Sequence, residues 1–155
     1  MILEEGSKAP AFNLPDQNGE KHRLSTYRGQ WILIYFYPKD NTPGCTKEAC
    51  AIRDEFPAFT KLKIKVFGVS KDSVASHARF AGKYDLPFTL LSDESLDMLK
   101  KYGVWQKKKM AGREYMGIVR MSYLVDPKGK VAKVYRKVKP PEHAGQVLAD
   151  LEELM

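Results

Sequence analysis

The chain has 155 residues, 43% hydrophobic and 29% charged, a balance that fits one globular domain able to bury a core without disulfides or metals. Its formal charge of +7 raises the question of a nucleic-acid or acidic-membrane partner, but the basic residues are spread. Lys61, Lys63 and Lys65 alternate along an apparent strand, Lys107 to Lys109 sit in an expected loop, and no arginine-rich arm or finger spacing exists. A solvated lysine-rich surface is preferred, with no nucleic-acid partner.

The opening MILEEGSKAP has no apolar core of a secretory signal, and the longest apolar run, Trp31 to Tyr37, is too short to span a bilayer. No membrane association and a cytoplasmic location are expected. After an irregular N-terminal stretch, Gln30 to Tyr37 (QWILIYFY) reads as a strand buried on both faces, ended by Pro38. From Thr42 to about Thr60 the pattern is helical, with Ala49, Ile52, Phe56 and Phe59 at helical spacing and Pro57 ending or kinking it. Ile64 to Ser70 is a second buried strand and Ser73 to Tyr84 a helix. Phe88 to Leu91 is a third strand, followed by a short helix from Asp93 to Tyr102 capped by Ser92 and Asp93. Met121 to Val125 and Val131 to Tyr135, joined by Asp126-Pro127-Lys128-Gly129, form an antiparallel hairpin, and Pro141 to Leu154 closes the chain as a helix. Strands alternating with helices predict an α/β fold, a single domain over residues 1–155 in which a mixed central sheet is flanked by helices on both faces.

In such a fold the reactive place is the carboxyl end of a central strand, where the next helix begins. There the sequence reads YPKDNTPGCTKEAC, holding the only two cysteines, Cys45 and Cys50. Thr42 suits the N-cap, Pro43 the first helical position, and Gly44 lets another group approach the backbone closely. Cys45 then falls in the first turn, where free N–H groups and the helix dipole favour an anion, the placement that makes a thiol a nucleophile. Cys50, five residues on in a regular helix, would lie roughly 8 to 9 Å from Cys45 between Cα atoms, beyond the ~7 Å reach of a disulfide. A bond between them requires the helix to unwind. Cys50 is therefore either an inert helical cysteine or a partner that acts only when the helix opens. His22, His77 and His143 are scattered, with no support for a Cys-His dyad, metal spacing or a phosphate loop.

These residues resemble the active-site segment of the peroxiredoxins, in particular the bacterioferritin-comigratory protein or peroxiredoxin Q subfamily. Pro38, Thr42 and Cys45 meet the Pro-x-x-x-Thr-x-x-Cys pattern, and GSKAPAFNLPDQNGE, FGVSKDS, PFTLLSDE, YGVW and RMSYLVDPKGKV resemble family segments in the same order. The resemblance implies a thioredoxin-like fold and reduction of hydrogen peroxide and organic hydroperoxides. It makes Cys45 the peroxidatic cysteine, Thr42 a hydrogen-bond partner of peroxide and thiolate, Pro38 a shield from water, and Arg120 the completing guanidinium. Glu48 either holds that guanidinium or stands exposed in the first turn. The resemblance also implies Cys50 as resolving cysteine, thioredoxin or a similar dithiol as reductant, and no cofactor or metal; an intramolecular resolver allows a monomer, and a dimer stays open. The competing readings are a thiol–disulfide oxidoreductase on the same fold, against which the missing C-x-x-C counts, and a non-catalytic basic binding protein.

Overall fold

The computed structural model describes residues 1–155. The stretch expected to be irregular holds a small antiparallel hairpin, β1 (Asn13–Pro15) with β2 (Lys21–Arg23). Three-residue strands are too short to show alternation. What closes their turn is Asp16, whose Oδ1 accepts the N–H groups of Asn18 and Glu20.

β3 (Ile32–Phe36) is buried at every residue. α1 (Pro43–Asp54) and α2 (Phe56–Lys61) replace the single helix expected from Thr42 to Thr60. The chain leaves helical geometry at Glu55 (φ −94°, ψ 1°), so Pro57 falls in the first turn of a new helix, where its missing N–H costs nothing. β4 (Lys65–Ser70) follows. Lys61, Lys63 and Lys65 do not share a strand: Lys61 ends α2, Lys63 is a left-handed turn residue at φ 59°, and only Lys65 enters the sheet.

α3 (Val74–Tyr84) begins after Ser73, whose hydroxyl accepts the N–H of Ser76 as an N-cap. β5 (Thr89–Ser92) leads to α4 (Asp97–Lys101), which starts four residues later than expected. Leu96, left-handed at φ 68°, holds the position just before the helix; Asp93 still accepts the first-turn N–H of Leu99 from farther back, whereas the Ser92 hydroxyl donates to the Asp72 carbonyl and takes no part in the cap.

Lys107 to Lys109 are not in a loop. They belong to β6 (Trp105–Met110), paired with β7 (Arg113–Ile118) around Ala111 and Gly112, both at positive φ. This hairpin is largely exposed, so no apolar alternation marks it in the sequence. β8 (Met121–Val125) and β9 (Val131–Tyr135) form the expected antiparallel pair, and α5 (His143–Leu154) ends the chain.

The main sheet has the order β5-β4-β3-β8-β9, with β3, β4 and β5 parallel and β8 and β9 antiparallel. Side chains alternate across it. Leu33 and Tyr35 enter one core with Ala49, Ile52, Val147 and Leu151, whereas Ile32, Ile34 and Phe36 enter the other with Met98 and Leu99. Two covered faces explain the unbroken apolar run of β3. No helix is long and apolar enough to cross a membrane.

Candidate active site

β3 delivers the chain through Tyr37–Thr42 to the start of α1, and β8 runs antiparallel beside it with Met121 opposite Phe36. That register brings Arg120, one residue before β8, to the same end of the sheet as Cys45. Its Nη2 donates to Cys45 Sγ at 3.3 Å and its Nη1 to Glu48 Oε1 at 2.7 Å. Gly44 leaves room for this approach: a Cβ there would lie 3.0 Å from Arg120 Nη2 and press the guanidinium outward by a few tenths of an ångström. The close approach expected at Gly44 is thus made by a guanidinium.

Cys45 and Glu48 are buried on one side of α1, and burial raises the Glu48 carboxyl to about 7 against the pull of Arg120. Of the two readings of Glu48, the exposed first-turn residue is excluded. For Arg120, burial opposes the charged form, but Glu48 and Cys45 outweigh it and hold the guanidinium's pKa above its usual value. Beneath them lies Tyr35, its fully buried hydroxyl without a hydrogen-bond partner and pushed well above the usual tyrosine range by burial, Glu48 and Cys45. Lys108 of β6 borders the same place. Its Nζ donates to the Ile118 carbonyl, and it lies within electrostatic reach of both Arg120 and Cys45.

Thr42 has the extended backbone of an N-cap, but its hydroxyl does not cap the helix; it donates to the Lys39 carbonyl at 2.8 Å and so closes the loop on itself. Pro38 follows β3, half-buried. Cys50 lies farther along the unbroken α1, half-buried and unbonded, so about 7.5 Å of helix axis separates the two thiols. The structure therefore brings together Cys45, Arg120 and Glu48, sets Pro38 and Thr42 in the loop before them, and keeps Cys50 apart. The three histidines are engaged elsewhere: His22 with Asp16 and Tyr27, His77 with Asp40, His143 with Ser122.

The raised Glu48 carboxyl has a consequence for stability. The folded protein holds this proton more tightly than the unfolded chain, so the Glu48 contribution weakens stability as pH rises toward and through 7. The contribution is fully present below about pH 4.5 and is lost as pH rises through about 7. Thermal unfolding of Glu48→Gln is expected to lose that slope, whereas parallel pH profiles for variant and wild type would contradict the assignment.

A thiol held beside a guanidinium at the head of a helix, on a thioredoxin-like sheet, puts the molecule in the class of thiol-dependent peroxidases. The model of the AhpC/TSA family matches residues 6–134, and the chain belongs to that family. It is 44% identical to peroxiredoxin Bcp of Bacillus subtilis over 99% of this chain and 98% of the relative. Among solved structures it is similar to a cysteine-to-serine mutant of Xylella fastidiosa PrxQ, with a TM-score of 0.93 at 34% identity, covering 99% of this chain and 98% of that one. It is also similar to the Xanthomonas campestris bacterioferritin comigratory protein, described for its alkyl peroxide reduction activity, with a TM-score of 0.91 at 37% identity over 97% of this chain and 99% of that one.

Proposed function

We propose that Cys45 is the peroxidatic cysteine and that the whole chain works as one domain, reducing hydrogen peroxide and organic hydroperoxides. The observation that carries this reading is the Arg120 guanidinium, which holds Cys45 Sγ with one arm and Glu48 with the other. In the first step the Cys45 thiolate attacks the distal oxygen of the hydroperoxide. The S–O bond forms as O–O breaks, and the leaving alkoxide or hydroxide takes a proton to become alcohol or water. Arg120 stabilises both the thiolate and the charge that develops on the oxygens. Thr42 orients the peroxide through its hydroxyl oxygen, and Pro38 keeps water from the thiol.

In the second step the Cys50 thiolate attacks the sulfenic sulfur. An S–S bond forms, S–O breaks, and hydroxide leaves as water. Because α1 is continuous between the two cysteines, its first turns unwind for this step. A dithiol such as thioredoxin then returns two electrons and two protons by exchange. Resolution within one chain needs no second subunit, so a monomer suffices. The setting is the reducing cytoplasm, without a nucleic-acid or membrane partner. The alkyl peroxide activity of the Xanthomonas relative supports the organic hydroperoxide part of the reading.

The test is stopped-flow mixing of the reduced protein with hydrogen peroxide, followed by mass spectrometry. Rapid oxidation of Cys45, then loss of both thiols into a single Cys45–Cys50 disulfide, is expected; reaction no faster than that of free cysteine would sink the proposal. In Cys50→Ser the first oxidation keeps its rate while sulfenic acid persists and is captured by a dimedone-type reagent. Equal capture in wild type and variant counts against Cys50 as resolver.

A further inference from the structure

The loop that carries Pro38 and Thr42 is anchored by a residue between them. Asp40 is buried and takes three side-chain partners: the Tyr37 hydroxyl donates to Oδ1 at 2.6 Å, the Ser76 hydroxyl to Oδ2 at 2.8 Å, and His77 Nδ1 lies 2.7 Å from Oδ2. The other ring nitrogen of His77 donates to the Leu91 carbonyl of β5 at 2.9 Å. Nδ1 and Oδ2 thus share one proton, and the wholly buried ring bridges the loop to the end of a strand. The backbone adds a second tie. The Asp40 N–H donates to Asp72 Oδ2 at 2.9 Å, and Asp72 is held by the hydroxyls of Ser70, at the end of β4, and Ser92, at the end of β5.

Asp40, Asp72 and His77 place ligand atoms within 4.8 Å of one another, a set that could also suggest a cation. Each atom is already spent, however: a cation would displace the bonds from Ser76 and His77 to Asp40 and those from the Asp40 N–H and Ser70 to Asp72. The cluster is a tether.

We propose that Asp40 and His77 are positioning residues of the peroxidase, clamping the Pro38–Thr42 loop to β5 and so setting the balance between the folded site that attacks peroxide and the unwound helix that lets Cys50 resolve. This rests on the roles given above to Cys45 and Cys50. The two steps demand opposite things of the same loop. Attack on peroxide needs the start of α1 in place against Arg120, whereas disulfide formation needs it released. A weaker clamp therefore slows the first step and quickens the second. A residue that only contributes to global stability does not produce that split.

The experiment follows both phases by tryptophan fluorescence after mixing with hydrogen peroxide, and counts overoxidised Cys45 by mass spectrometry. His77→Gln, whose amide cannot span from Asp40 to Leu91, is expected to slow oxidation of Cys45 roughly tenfold, to quicken disulfide formation severalfold, and to lower overoxidation. Tyr37→Phe, which removes a single donor to Asp40, shows the same split at smaller amplitude if His77→Gln does not fold. Tyr135→Phe, which loses a hydrogen bond to Asp150 at the far edge of the sheet, lowers the melting temperature without moving either rate. A folded His77→Gln with both rates within twofold of wild type, both rates slowed together, or the same split in Tyr135→Phe overturns the positioning role. Should the wild type itself form no Cys45–Cys50 disulfide, both that assignment and the clamp fall. A wild type that forms it beside a His77→Gln without the split removes the clamp alone.

Discussion

Cys45→Ser is expected to abolish peroxide reduction, with a fall of about 10⁴-fold or more in the rate of peroxide consumption. A serine hydroxyl is not ionised at neutral pH and cannot store the transferred oxygen as a stable S–OH, so neither the attack nor the intermediate survives. The fold does survive. The oxygen is smaller than sulfur and polar, it still accepts from Arg120 Nη2, and Glu48 keeps the other arm of the guanidinium. The variant should therefore melt close to the wild type, and its loss of activity should be chemical. Stopped-flow kinetics beside a thermal melt check this. Residual turnover above about 1% of wild type, in protein free of wild-type carry-over, would show that Cys45 is not the nucleophile.

Arg120→Ala carries the second largest effect, a slowing of Cys45 oxidation by about 10²- to 10³-fold, the range for removing one preorganised donor from a developing negative charge. It also destabilises. Glu48 is fully buried while Arg120 is 20% exposed, so removing the guanidinium strands a carboxylate that water cannot reach. Because the Glu48 carboxyl already stands at about 7 with the guanidinium pulling it down, it takes up a proton once Arg120 is gone, and the loss stays below the ~3 kcal/mol of a stranded buried charge. The two effects separate in the double variant Arg120→Ala/Glu48→Gln, where stability returns because the stranded charge is gone while the reaction stays slow. Arg120→Lys is intermediate, since one ammonium cannot face Cys45 and Glu48 with two fixed arms. Full activity in the stabilised double variant would remove Arg120 from the mechanism.

Much of this architecture was legible residue by residue. β3, β4, the β8–β9 hairpin and α5 follow from apolar runs and turn residues whose partners lie nearby in the chain. Thr42, Pro43 and Gly44 announce a helix start with a thiol in its first turn. The misreadings share a cause. β1, β2, β6 and β7 are short or exposed, so no buried face imprints a period on them, and the break at Glu55 is a backbone event that a single helical pattern runs across. Nothing near His77 in the chain points to its partner, because Asp40 lies 37 positions away.

By itself, the sequence determined the chemistry of near neighbours: a buried strand, a helix that opens on Cys45, and a second thiol too far along that helix to bond without unwinding it. Only the tertiary structure decided what surrounds the thiol. Arg120 lies 75 residues from Cys45 and meets it because β8 inserts beside β3 in one register. Shifted by one residue, that pairing would carry every side chain of β8 to the opposite face of the sheet. The burial of Glu48 and the Asp40–His77 clamp depend in the same way on which elements come to lie side by side. Local pattern fixes how each segment bends, but contacts between distant segments are chosen by the burial of the whole core, and no stretch of a dozen residues contains that information.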